Sequence, residues 1–185
     1  TGSTQVGKLI QKSLAGRDVG LTLELGGKAA NIVYEDAAID QAVEGVVNGI
    51  FFNQGHVCCA GSRLLLQESI HDEFVKKLEK RMQSLRVGNP LDKNTDIGAI
   101  NSKEQLDKIT GLVNEGVEDG GELFQTECEL PGNGFWFRPT LFTNVQPSYS
   151  IAREEIFGPV LTTLTFRTPE EAVEIANNTE YGLSA

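Results

Sequence analysis

Four short segments carry the residues whose types and spacing could do chemistry. In the first, Asn53-Gln54-Gly55 ends a helical pattern, and His56-Val57-Cys58-Cys59-Ala60-Gly61 leads into an apolar run. The neighbours of Cys58 are small, which leaves a substrate carbon room to reach its sulfur, as a nucleophilic thiol requires. Free cysteines are more often small buried residues, and within this segment both readings stand. A zinc site on His56, Cys58 and Cys59 is disfavoured. Those donors crowd into one tight stretch, and only His71 and Cys128 remain to complete a ligand set.

The second segment, Leu21-Thr22-Leu23-Glu24-Leu25-Gly26-Gly27-Lys28, sets a carboxylate in an otherwise apolar strand-like run. Burial there would raise the pKa of Glu24 and suit it to general-base work. An edge-strand glutamate facing water is the competing reading. The third, Gly2-Ser3-Thr4-Gln5-Val6-Gly7-Lys8, imitates a phosphate-binding P-loop, but Leu9 stands where Ser or Thr is needed and no strand precedes it. A glycine-led turn entering a helix can still offer backbone N–H groups to a phosphate. The fourth, Glu154-Glu155-Ile156-Phe157-Gly158-Pro159, places two carboxylates and an aromatic ahead of a strand. Taken alone it reads as a solvated turn.

These segments need elements to position them. Leu21–Leu25 and Asn31–Tyr34 read as strands, and Ile39, Val43, Val46, Val47 and Ile50 recur at helical spacing over about Ala38–Phe52. Arg63–Gln67 reads as a buried strand. Ser69 with Asp72 marks a helix start, followed by the stripe Ile70, Phe74, Leu78, Met82 and Leu85. Ser102 and Gln105 fit a capping box ahead of Leu106, Ile109 and Val113. Glu122–Gln125, Thr140–Val145 and Val160–Phe166 are further strands, and Thr168-Pro169-Glu170-Glu171 combines N-cap, proline at N1 and glutamate at N3. Strands alternating with helices predict an α/β fold, a mostly parallel twisted sheet with helices on both faces.

Composition narrows the function classes. A net charge of −10 without Lys/Arg clusters argues against nucleic acid. Apolar runs such as Leu64–Leu66 fall far short of the roughly 20 residues of a membrane-spanning helix. The first residues show neither a basic nor an apolar signal region. Three cysteines, two of them adjacent, make no disulfide framework and point to a reducing, cytoplasmic setting. The Asn177-Asn178-Thr179 sequon is read as a chance match.

Taken in this order, the four segments resemble the aldehyde dehydrogenase superfamily over essentially all 185 residues. The resemblance implies Cys58 as nucleophile, with Cys59 its variable neighbour, and Glu24 as general base. It implies Gly2, Ser3 and Gly7 in a turn against the cofactor pyrophosphate. Leu25 and Gly26 would lie beside the cofactor, with Glu155 and Phe157 at its nicotinamide riboside end. The cofactor would be NAD or NADP and the substrate a small-molecule aldehyde, with no metal, membrane or nucleic acid involved and a homo-oligomeric complete protein. Residues 1–27 would form the C-terminal edge of a cofactor-binding domain, and 28–185 a catalytic domain truncated at its C-terminus. Such a fragment is expected to bind cofactor weakly and to lack turnover. Ala42–Val47 and Leu64–Ser69 look most like family 16, some of whose vertebrate members have lost the cysteine that is kept here as Cys58. His56 stands where the family usually has Gln or Glu. Competing readings are a CoA-acylating enzyme on the same scaffold, a non-catalytic scaffolding module, and a generic α/β binding domain.

Overall fold

The computed structural model describes residues 1–185. Along the chain come α1 (Thr4–Leu14), β1 (Ala30–Val33), α2 (Ile39–Phe51), β2 (Arg63–Gln67), α3 (His71–Met82) and α4 (Lys103–Glu118). They are followed by β3 (Glu122–Gln125), β4 (Thr140–Thr143), α5 (Ser150–Arg153), β5 (Val160–Phe166) and α6 (Pro169–Asn177). The strands make one sheet in the order β1-β2-β5-β4-β3, parallel except for β3, which runs antiparallel to β4 at the edge. This is the expected mostly parallel α/β sheet. No helix is long and apolar enough to cross a membrane.

β2 shows how the sequence specifies the layers. Leu64, Leu65 and Leu66 are all fully buried, and successive strand residues face opposite sides of a sheet. Leu64 and Leu66 pack with Val43, Val46 and Ile50 of α2 and with Phe74 and Leu78 of α3. Leu65 packs the other way, with Leu164, Phe166 and Ala172 of α6. An uninterrupted apolar run is what a parallel strand covered on both faces requires. A third cluster joins Ile109 and Val113 of α4 to Phe142, Ile151 and Val160.

The helix-start signals are used unevenly. Thr168 Oγ1 accepts the Glu171 N–H at 3.3 Å, and the Glu171 carboxylate accepts the Arg167 N–H at 2.7 Å. Ser102 Oγ accepts the Gln105 N–H at 3.1 Å, but the Gln105 side chain does not reach back to complete the box. Ser69 is a correction. It sits in a short 3₁₀ turn, Glu68–Ile70, and its hydroxyl donates to Glu35 at 2.9 Å, so α3 starts at His71 without a side-chain cap. Asp72 and Glu73 in the first turn supply the negative charge that a helix N-terminus favours.

Two strand expectations also change. Leu21–Leu25 belongs to no ladder, and Leu21 is exposed. A strand exists only with a hydrogen-bonded neighbour, and here the Glu24 carbonyl, accepting the Gly2 N–H at 3.0 Å, is the contact that ties the run to the turn ahead of α1. β4 ends at Thr143 rather than Val145 because Asn144 takes φ +54°, a left-handed conformation that breaks pleating.

Candidate active site

α2 stops at Phe51, and the chain then passes through three left-handed residues, Asn53 (φ 50°), Gln54 (φ 47°) and Gly55 (φ 76°). The two non-glycine residues are held by local bonds: Asn53 Nδ2 donates to His56 O at 3.1 Å and Gln54 Nε2 donates to Asn53 Oδ1 at 3.1 Å. A Cβ on Gly55 would collide with the carbonyl of Gly158. Gly55→Ala therefore combines a disfavoured φ with a backbone clash. It is expected to cost about 2–4 kcal/mol, read as a lower denaturant midpoint; a shift near zero would mean the turn is not clamped against Gly158.

After the turn, the Gly61 N–H donates to Gly49 O at 3.1 Å and the chain enters β2. Cys58 is half-buried and Cys59 exposed, and neither is bonded to another cysteine. The Cys58 N–H donates to no backbone acceptor. It is therefore free to donate to charge developing on the oxygen of a carbonyl that the sulfur attacks. His56, Cys58 and Cys59 belong to no group of side chains placed to hold a metal.

The paired glycines now have a physical account. The Gly27 N–H donates to Glu155 Oε1 at 3.0 Å. A Cβ on Gly26 would strike the Glu155 carboxylate, and one on Gly27 would strike the Cys58 carbonyl. The two glycines thus let the Glu24 segment seat against both the acidic loop and the cysteine turn.

One cleft of about 260 Å³ gathers Gly2, Ser3, Glu24, Leu25, Gly26, Cys58, Glu155 and Phe157. Gly7 does not line it. It is buried in α1, with the Leu25 side chain filling the space a Cβ would need. Ser3 caps α1, accepting the Val6 N–H at 3.3 Å, so a helix N-terminus faces the cleft. Glu24 departs from expectation in its burial. Its side chain is exposed, so the desolvation argued for it from the sequence is not supplied by these elements.

Two cleft residues, Gln105 and Lys108, escaped the sequence reading. Gln105 Nε2 donates to the carbonyls of Ile156 at 2.9 Å and Phe157 at 3.0 Å, and Lys108 Nζ donates to the carbonyl of Glu155 at 2.7 Å. Three consecutive carbonyls are thus pinned to one face of α4, and Phe157 is held at φ +54°. Their helical spacing of three was the available signal, hidden because Gln105 also fits a capping box.

Lys28 is a further surprise. It is 2% exposed, and its ammonium finds no acceptor. Burial foremost, then the nearby Arg63 charge, lower its pKa from 10.5 to about 7. The Arg63 guanidinium is itself committed, donating to Lys28 O at 2.8 Å and to the α6 carbonyls of Ile175 at 3.0 Å and Ala176 at 2.8 Å. Between pH 7 and 10.5 the unfolded chain binds more protons at Lys28 than the folded one does. Its destabilising effect is therefore full below pH 7 and relieved as pH rises. Lys28→Met should raise stability at neutral pH by roughly 2–4 kcal/mol and flatten the rise towards alkaline pH. A less stable variant in thermal melts would show that the ammonium has a partner.

A half-buried thiol with a free N–H, sharing a cleft with carboxylates and a helix N-terminus, makes a site for covalent thiol catalysis. The chain belongs to the aldehyde dehydrogenase family, whose profile matches residues 1–185. It is 48% identical over 190 residues to retinal dehydrogenase 2 of Taeniopygia guttata and equally to that of Homo sapiens, covering 100% of this chain and 36% of each relative. The structure of an NAD-dependent aldehyde dehydrogenase from Sinorhizobium meliloti superimposes with a TM-score of 0.95 at 43% identity, over 99% of this chain and 37% of that one. An NAD+ complex of aldehyde dehydrogenase from Bacillus cereus gives 0.94 at 37% identity, over 99% and 38% respectively. The chain thus spans little more than a third of the length of these relatives.

Proposed function

We propose that this chain is the thiol-bearing part of an NAD(P)-dependent aldehyde dehydrogenase that oxidises a small-molecule aldehyde to its carboxylic acid. The observation that carries this reading is the single cleft shared by Cys58, Glu24, Glu155, Phe157 and the Gly2-Ser3 turn. The cofactor fits the residues present. α1 offers unpaired N–H groups at its start for a phosphate, and Phe157 with Glu155 offers an aromatic and a carboxylate for the nicotinamide riboside end. At about 260 Å³ the cleft lies below the roughly 300–1,000 Å³ of pockets that enclose a drug-sized ligand. It suits one end of the dinucleotide, which agrees with a division into residues 1–27, at the edge of a cofactor-binding domain, and a catalytic domain from 28 onward. The 185-residue chain alone should therefore bind NAD weakly or not at all in titration calorimetry, and micromolar affinity would contradict that division.

In the reaction, the Cys58 thiolate attacks the aldehyde carbon and forms a C–S bond, while the Cys58 N–H donates to the resulting oxyanion. Bound NAD(P) supplies the acceptor for the hydride lost from that thiohemiacetal carbon, which leaves a thioester on Cys58. Glu24 then takes a proton from a water molecule. That water attacks the thioester, the C–S bond breaks, and the acid departs with the thiolate restored. A carboxylate beside the thiol favours water over a CoA thiol as the resolving nucleophile. We place the complete protein in the cytoplasm, in keeping with its free cysteines, and propose that it is a homo-oligomer. The test is NADH formation by the complete enzyme across an aldehyde panel without CoA. Absence of NADH with every aldehyde, or formation only when CoA is added, would reject this reading.

A further inference from the structure

The cysteine turn and the Glu155–Pro159 loop meet at two points. One is the backbone approach of Gly55 to Gly158. The other is a ring contact: the His56 imidazole lies 5.2 Å from the Phe157 ring, tilted by 38°. The same imidazole reaches the segment ahead of α4. The Asn101 N–H donates to His56 Nε2 at 3.4 Å, which leaves the ring proton on Nδ1, 3.3 Å from Gln54 O. His56 therefore touches the turn that presents Cys58, the approach to α4, and Phe157 together.

The anchors on Phe157 divide the work. Gln105 and Lys108 hold carbonyls and so fix the backbone of the loop. Neither fixes the torsion of the Phe157 side chain. Phe157 is half-buried, and His56 is the aromatic neighbour whose ring lies against it.

Building on the proposed function, we infer that His56 is a positioning residue for the nicotinamide end of the site, setting the plane that Phe157 presents to the cofactor ring. It holds Phe157 in register with Cys58, two residues further along the same turn. Hydride leaves the carbon carried by Cys58, so the distance between that carbon and the cofactor ring depends on this register.

The test uses the complete enzyme with His56→Leu, which lacks both the ring and the acceptor, and His56→Tyr, which keeps an aromatic ring against Phe157. With fluorinated phenylalanine incorporated, the ring resonance of Phe157, assigned by Phe157→Leu, should move in His56→Leu towards that of a solvent-exposed ring. Amide hydrogen exchange across Glu154–Val160 should stay slow, because Gln105 and Lys108 still hold the backbone. With a deuterated aldehyde, an isotope effect should appear as kcat falls roughly tenfold, while the rate of Cys58 alkylation by iodoacetamide holds. His56→Tyr should recover most of both the resonance and the rate. An unchanged Phe157 ring resonance overturns the inference whatever the activity. A shifted resonance with unchanged kcat and no isotope effect also overturns it, as does a parallel loss of Cys58 alkylation, which would mean the turn itself had collapsed. A parent enzyme that reduces no NAD rejects the proposed function instead, and the ring resonance still decides whether His56 holds the Phe157 ring.

Discussion

Cys58→Ala in the complete enzyme should abolish aldehyde-dependent NADH formation, a loss of at least about four orders of magnitude in kcat. The size follows from the role. Removing the sulfur removes the bond that holds the substrate carbon for hydride loss, and no other thiol lines the cleft. Cys59 is exposed on the next residue, and Cys58, not Cys59, lines the cleft. The fold should survive, because a half-buried thiol in a turn contributes little packing and alanine suits the local backbone. NAD affinity and the melting temperature should hold as activity disappears. Retention of even a few per cent of turnover would transfer the nucleophile's role elsewhere.

Glu24→Gln should separate the two halves of the reaction. Acylation and hydride loss need the thiol, whereas hydrolysis needs a proton taken from water, so steady-state turnover should fall by about 10²–10⁴. A first burst of NADH equal to the enzyme concentration should persist, with acyl-enzyme accumulating behind it. Unchanged turnover in the variant would remove Glu24 from the mechanism.

The regular elements were legible where a single physical signal dominated. Arg63–Gln67 and Val160–Phe166 are rich in leucine, valine, threonine and phenylalanine and almost wholly buried, and the structure begins and ends both strands where the sequence does. Thr168-Pro169 opens α6 because cap, fixed φ and first-turn charge agree. Leu21–Leu25 misled because its alternation is local, whereas a strand depends on a neighbour the segment lacks. The antiparallel course of β3 was invisible for the same reason, since direction is decided by pairing with β4.

At the site, the order of the motifs identified the cleft, but the contacts between motifs were hidden. Gly26 and Gly27 are needed for the approach of Glu155 and Cys58 from far along the chain, contacts that no local pattern shows. Gln105 belongs to a helix start by its spacing and to the acidic loop by its hydrogen bonds. Lys28 looked like the tail of a glycine motif, and nothing in its neighbours signalled full burial without an acceptor.

The most direct measurement is the mass of the peptide carrying Cys58 and Cys59 after the complete Glu24→Gln enzyme has been incubated with NAD and an aldehyde, trapped in acid and digested. An acyl group on the Cys58 sulfur, dependent on NAD and absent in Cys58→Ala, is the predicted result. No acyl adduct on this peptide, or one borne by Cys59, would contradict the account.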